Sequence, residues 1–140
     1  MLVRRVPAIV LSLALGAAAL TSAPIALASD GGNATDVEKD RSSCNPSTET
    51  RARLKVGTVE NNSARLVVVG TVWSNDNDTW EWKFKHNGDV SDEGRARGSE
   101  DTERSFRITR TMFNGYGVDD IVFRAENLRT GEVCRTFVDY

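Results

Sequence analysis

One histidine, two cysteines and a scatter of carboxylates are what this sequence offers to chemistry. His86 stands beside Asn87-Gly88. As a general base in acyl transfer it would need a serine held on a strained turn, as in GxSxG, and no GxSxG occurs. His86 therefore reads as a turn residue. Asp76, Asp78, Glu81 and the pair Asp119-Asp120 could supply hard oxygen ligands to calcium. The loop Asp76-Asn77-Asp78 begins like an EF-hand loop, but Glu81 stands where that loop needs glycine and Asn87 where it needs its closing glutamate. A mixed-ligand loop site is the form left open. Glu93, Glu100, Asp101 and Glu103 are carboxylates of the kind glycoside hydrolysis pairs. They lie in a polar stretch with nothing apolar to raise one pKa, and so read as solvated. With no CxxC and a single histidine, zinc and thiol chemistry are excluded as well. The expectation is a protein without catalytic function, cofactor or metal.

Two further groups bear on binding. Trp73, Trp80 and Trp82 suggest a carbohydrate platform, but Trp80 and Trp82 alternate in step with Phe84 and are expected in the core. Gly94-Arg95-Ala96-Arg97-Gly98 could present an arginine to a trypsin-like protease as an inhibitor loop, although no cysteine is near enough to brace it.

The surrounding chain says where such groups would work. Arg4 and Arg5 precede an apolar run from Val6 to Leu20, and Ala26-Leu27-Ala28 offers the small-x-small pattern of a signal-peptidase site. Residues 1–28 are expected to be a cleaved signal peptide, and the mature protein to be secreted and extracellular, with no membrane attachment. Removing Arg4 and Arg5 leaves sixteen basic against twenty acidic residues, a net charge of −4. That balance argues against nucleic acid as a partner, which needs a concentrated basic face. Two cysteines in an exported chain form one disulfide, so Cys44 is expected to join Cys134.

Residues 29–43, polar and without an aromatic, predict a disordered leader. From Cys44 to Tyr140 the sequence reads as one β domain. Period-two alternation marks Arg51 to Val59, with Ala52, Leu54 and Val56 inward. It recurs at Ala64 to Ser74, with Leu66, Val68 and Val72 inward and a possible bulge at Gly70. Trp80, Trp82 and Phe84 form the clearest inward set, and Asn87-Gly88 then predicts a hairpin turn. Asp89 to Thr102 predicts an exposed connection with room for a short edge strand. Phe106, Ile108 and Met112 mark another strand. The last hairpin carries Ile121, Phe123 and Ala125, then a turn with Gly131 at positive φ, then Cys134, Thr136 and Val138. No helical periodicity intervenes. The prediction is an all-β antiparallel β-sandwich of about seven strands with one disulfide.

That spacing resembles an immunoglobulin-like domain. The strand from Ala64 would stand as its B strand, Trp82 as its strand-C tryptophan, and Asp119-x-Ile121-x-Phe123-x-Ala125 as its F strand. Val68 and Ala125 occupy the places of the inter-sheet cysteines, and Phe123 that of the corner tyrosine. The resemblance implies a fold and no activity.

The candidate binding residues come from comparing outward sets. Glu81, Lys83, Lys85, Arg124, Glu126 and Arg135 make a mixed-charge face, expected to be inert. The strand from Ala64 instead sends Val67, Val69, Thr71 and Trp73 outward, an apolar stripe flanked by Arg53, Lys55, Arg107 and Thr109. Val67, Val69, Trp73, Arg53 and Arg107 are the predicted site, for an extracellular protein, a glycan or a second copy of the chain. The function expected is secreted binding; inhibition of an extracellular hydrolase and a small carbohydrate-binding module are the alternatives.

Overall fold

A computed structural model describes residues 34–47 and 49–140, and the side chains from residue 37 onward. The expected signal peptide lies outside the described residues. Among the described residues, eight strands form two antiparallel sheets. In chain order they are β1 (Ala34–Ser43), β2 (Arg51–Val59), β3 (Asn62–Trp73), β4 (Thr79–His86), β5 (Asp89–Arg97), β6 (Ser105–Phe113), β7 (Asp120–Asn127) and β8 (Val133–Asp139). One sheet runs β1-β2-β3-β6, the other β5-β4-β7-β8, and they pack as a β-sandwich. Among the described residues no helix is long and apolar enough to cross a membrane.

The alternating residues account for the layers. Leu54, Val56, Leu66, Val68 and Val72 from one sheet meet Trp80, Phe84, Ile121, Phe123 and Ala125 from the other. Period-two patterning sends each set to the same face, and burying it from water is the main stabilising term. Trp80 and Trp82 are core, as their alternation predicts. Asn87 and Gly88 both take positive φ (52° and 89°), which a two-residue type I′ turn requires. Gly131 does the same at 73°.

Three expectations are corrected. Residues 34–43 of the supposed leader form β1, an edge strand paired along β2 from Ala34↔Val59 to Ser43↔Arg51. The sandwich thus has eight strands. Asp89–Arg97 is a full nine-residue strand on β4, with Gly94 admitting the Trp82 ring against the β5 backbone. Gly70 marks no bulge: β3 keeps register on both sides, Leu54↔Gly70 and Gly70↔Ile108. Its missing side chain makes room for Phe123, whose ring would lie 2.5 Å from a Cβ there.

Each open side of the sandwich is closed by polar groups. Along β1/β8, Ser42 Oγ donates to the Arg135 carbonyl (2.8 Å) and Asp40 Oδ2 accepts from the Phe137 N–H (3.1 Å). These satisfy backbone groups that an edge strand would leave open. Along β5/β6, Arg110 pairs with Asp92 and lays its guanidinium 4.9 Å from the Trp82 ring centroid. The Cys44–Cys134 disulfide joins the segment after β1 to β8, and so ties one sheet to the other.

Candidate functional site

Cross-strand register fixes what shares a face, because residues directly opposite point the same way. On the outer side of β1-β2-β3-β6, one row reads Ser43, Arg51, Trp73, Ser105. The next reads Arg41, Arg53, Thr71, Arg107, and the third Lys39, Lys55, Val69, Thr109. Six of these twelve residues are lysine or arginine and none is acidic.

At the end nearest the disulfide, Arg41, Ser43, Arg51, Arg53 and Trp73 line a shallow cleft of about 380 Å³. Arg53 lies over the Trp73 indole, 5.2 Å from its centroid, a cation–π contact that fixes both groups. Arg53, Lys55 and Arg107 are engaged by neighbours, whereas Lys39, Arg41 and Arg51 are exposed and make no ion pair among the described residues. Thr71 is 2 % exposed, and its hydroxyl has no hydrogen-bond partner among the described residues. It sits at the floor of the middle row between Arg53 and Arg107.

The predicted residues divide accordingly. Arg53 and Trp73 meet in the cleft. Arg107 shares their face, one strand beyond Thr71. Val67 and Val69 lie on that face too, yet they are only 8 % and 1 % exposed and stand outside the inter-sheet core. The expected exposed apolar stripe is therefore a covered one. Lys55 and Thr109 flank Val69 directly, and long basic side chains lay their methylene stems over such surface while their charged ends reach water. What solvent meets is the charge.

Sequence reasoning missed Lys39, Arg41 and Arg51. A signal existed: in Val37-Glu38-Lys39-Asp40-Arg41-Ser42-Ser43, cations take the odd positions and acids the even ones. That is a strand periodicity written in charge sign, and hydropathy cannot see it.

The opposite outer face is of the other kind. Lys83 pairs with Glu93 (3.0 Å), Arg95 with Glu81 (3.7 Å) and Arg124 with Glu126 (2.7 Å). Arg95 and Arg97 belong to β5, with Arg97 Nε donating to Thr79 Oγ1 (2.9 Å), so Gly94–Arg97 is part of a strand and not an inhibitor loop.

The groups that suggested catalysis or calcium are occupied structurally. His86 Nε2 donates to Asp119 Oδ1 (2.6 Å), which also accepts from Asn87 Nδ2 (3.1 Å), while Oδ2 accepts from the Gly115 N–H (3.1 Å). Burial pushes the Asp119 carboxyl up, but these three hydrogen bonds outweigh it and hold it below its ordinary range. The cluster joins the β4–β5 turn to the loop before β7. No serine hydroxyl bonds His86 among the described residues. Asp76 Oδ1 accepts from Ser74 Oγ, the Asp78 N–H and Trp80 Nε1. Arg129 grips both oxygens of Asp78 (2.8 and 2.7 Å) and Asn127 adds a third bond (2.9 Å). With those oxygens engaged, the loop is braced by protein donors, and no cluster of metal-ligating side chains occurs among the described residues.

No family model, curated protein or solved structure matches this chain.

Proposed function

We propose that this is a secreted, non-enzymatic β-sandwich of immunoglobulin-like type that binds an anionic extracellular ligand on the outer face of β1-β2-β3-β6. The observation that carries the reading is the convergence of Arg41, Arg51, Arg53 and Trp73 on one cleft, within three rows that hold no acid. A guanidinium presents a fork of N–H donors matched to carboxylate, sulfate or phosphate oxygens. Arg and Trp are the residues that most often anchor interfaces. The strand order β5-β4-β7-β8, with Trp82 and Phe123 central to the core, supports the immunoglobulin-like type, and the disulfide supports an extracellular setting.

The test is cosedimentation of the exported protein with the producer's cell envelope at low and physiological salt. Arg41→Glu with Arg51→Glu is expected to abolish sedimentation, while Lys85→Glu with Arg135→Glu on the opposite face leaves it unchanged. Wild-type protein that stays in solution at low salt, or equal loss in both variants, overturns the reading.

A further inference from the structure

We propose that Asp119 holds both Asn–Gly steps of the chain, Asn87-Gly88 and Asn114-Gly115, against succinimide formation, and that the two are coupled sites of spontaneous modification. The inference is independent of the binding face argued above.

An Asn–Gly step is open to this chemistry because glycine has no side chain to hinder it. The glycine backbone nitrogen attacks the asparagine side-chain carbonyl carbon. The new C–N bond closes a cyclic imide, the bond to the side-chain nitrogen breaks, and the glycine proton leaves with that nitrogen as ammonia. Water then opens the imide to aspartate or isoaspartate. The sequence holds two such steps. Asn87 and Gly88 are exposed and Asn114 and Gly115 half-buried, so water reaches both and burial protects neither.

What restrains them is one buried carboxylate. Asp119 Oδ1 accepts from Asn87 Nδ2 (3.1 Å), and Asp119 Oδ2 accepts from the Gly115 N–H (3.1 Å). Each step is pinned a second time. Asn87 Oδ1 accepts from the Asp120 N–H (2.8 Å). Both ends of the Asn87 amide are thus tied to the start of β7, and its carbon is kept from turning toward the Gly88 nitrogen. Asn114 Nδ2 donates to the Ser63 carbonyl (2.7 Å), and the Asn114 N–H to that of Ala64 (2.9 Å). With the Gly115 N–H on Asp119, amide and nucleophile are held by different elements. Asp119 is fixed in turn by His86 and by backbone hydrogen bonds with Tyr140 in both directions (2.9 and 3.0 Å).

The shared carboxylate couples the sites. Conversion of Asn87 puts an acid where Nδ2 now donates, and two like charges at hydrogen-bond distance repel. His86 is left between two acids, and Asp119 shifts off the Gly115 N–H. Isoaspartate also adds a backbone atom to a two-residue turn whose φ values, 52° and 89°, are those its hairpin requires. Asn87, the more exposed, converts first, and Asn114 follows.

Peptide mapping by mass spectrometry, with isoaspartate counted at each site, tests this on the exported protein held at physiological temperature and mildly alkaline pH. In the native protein both asparagines are expected to persist, while in the reduced, denatured chain both convert. Asp119→Ala is expected to speed conversion at both sites in the folded state by about tenfold or more, the factor that goes with one hydrogen bond to a charged group. Asn87→Asp keeps a residue that such turns accept, and should speed Asn114 severalfold. Melting curves establish that each variant is folded; if Asp119→Ala is not, Asn87→Asp decides. Native conversion at either site as fast as in the denatured chain overturns the proposal. So does an unchanged rate in folded Asp119→Ala, or an unchanged rate at Asn114 in Asn87→Asp.

Discussion

At Asp78 three hydrogen bonds converge on one carboxylate, from Arg129 twice and from Asn127. The Arg129 bonds, then that of Asn127, pull its pKa down to about 2. A depressed acid stabilises the fold above its unfolded pKa of about 3.9 and loses that contribution as pH falls toward the folded value. Asp119 adds to the same window, since its pKa is lowered too. Thermal unfolding is therefore expected to become acid-sensitive below about pH 4. Arg129→Ala should make the melting temperature fall less steeply between pH 4 and pH 2; an unchanged slope would show that the clamp contributes nothing. Gly70 gives a second residue-scale test. A methyl there meets the Phe123 ring at 2.5 Å, so Gly70→Ala is expected to cost about 1–3 kcal/mol in denaturant unfolding. Phe123→Leu in the same chain should make the added methyl less costly. Neither role was legible in sequence. A glycine within an alternating strand signals a bulge or a close approach, and only the facing sheet tells which.

The strands were more legible than their edges. β2, β4, β7 and β8 each bury one face, and alternating hydropathy records that burial directly, while β3 is buried on both faces from Leu66 to Val72 and shows as a β-branched run. β1 and β5 are edge strands, and β5 buries almost nothing, so hydropathy is silent about them. Edge strands are kept polar and charged because an apolar edge invites pairing with another chain. The predicted leader became β1 for that reason. Its standing is testable by hydrogen exchange: alternate amides of Lys39–Ser43 should be protected in the native protein, and uniformly fast exchange across them would contradict a paired strand. The disulfide works at this scale too. It closes a loop of 90 residues, worth on the order of 4–5 kcal/mol in the chain-entropy model. Cys44→Ala with Cys134→Ala should lower stability by several kcal/mol in denaturant unfolding and raise exchange in β1 before the core strands. Unaltered β1 exchange would mean that pairing to β2 alone holds the strand.

Over the whole molecule, charge is sorted by face and not by amount. The net charge expected after signal removal is −4, which argued against nucleic acid as a partner. That inference assumed an even spread. Instead the β5-β4-β7-β8 sheet interleaves signs and pairs them, while the outer rows of β1-β2-β3 carry lysine and arginine without acids. Net charge is a sum over the chain and has no knowledge of register; half of the basic columns, moreover, lie on a strand that hydropathy could not find. Trp73 and Arg53 were legible as a pair because they sit on strands that are. The measurement that addresses the central claim most directly is a titration of isotope-labelled protein with a polyanionic probe, a sulfated dextran oligomer, followed by amide and indole chemical shifts. The expected result is a contiguous set of shifts on the outer face of β1, β2 and β3, including the Trp73 indole and the amides of Lys39, Arg41, Arg51 and Arg53. Shifts that cluster instead on the β5-β4-β7-β8 face or on the Asn114–Val118 loop, or none at saturating oligomer, would contradict it.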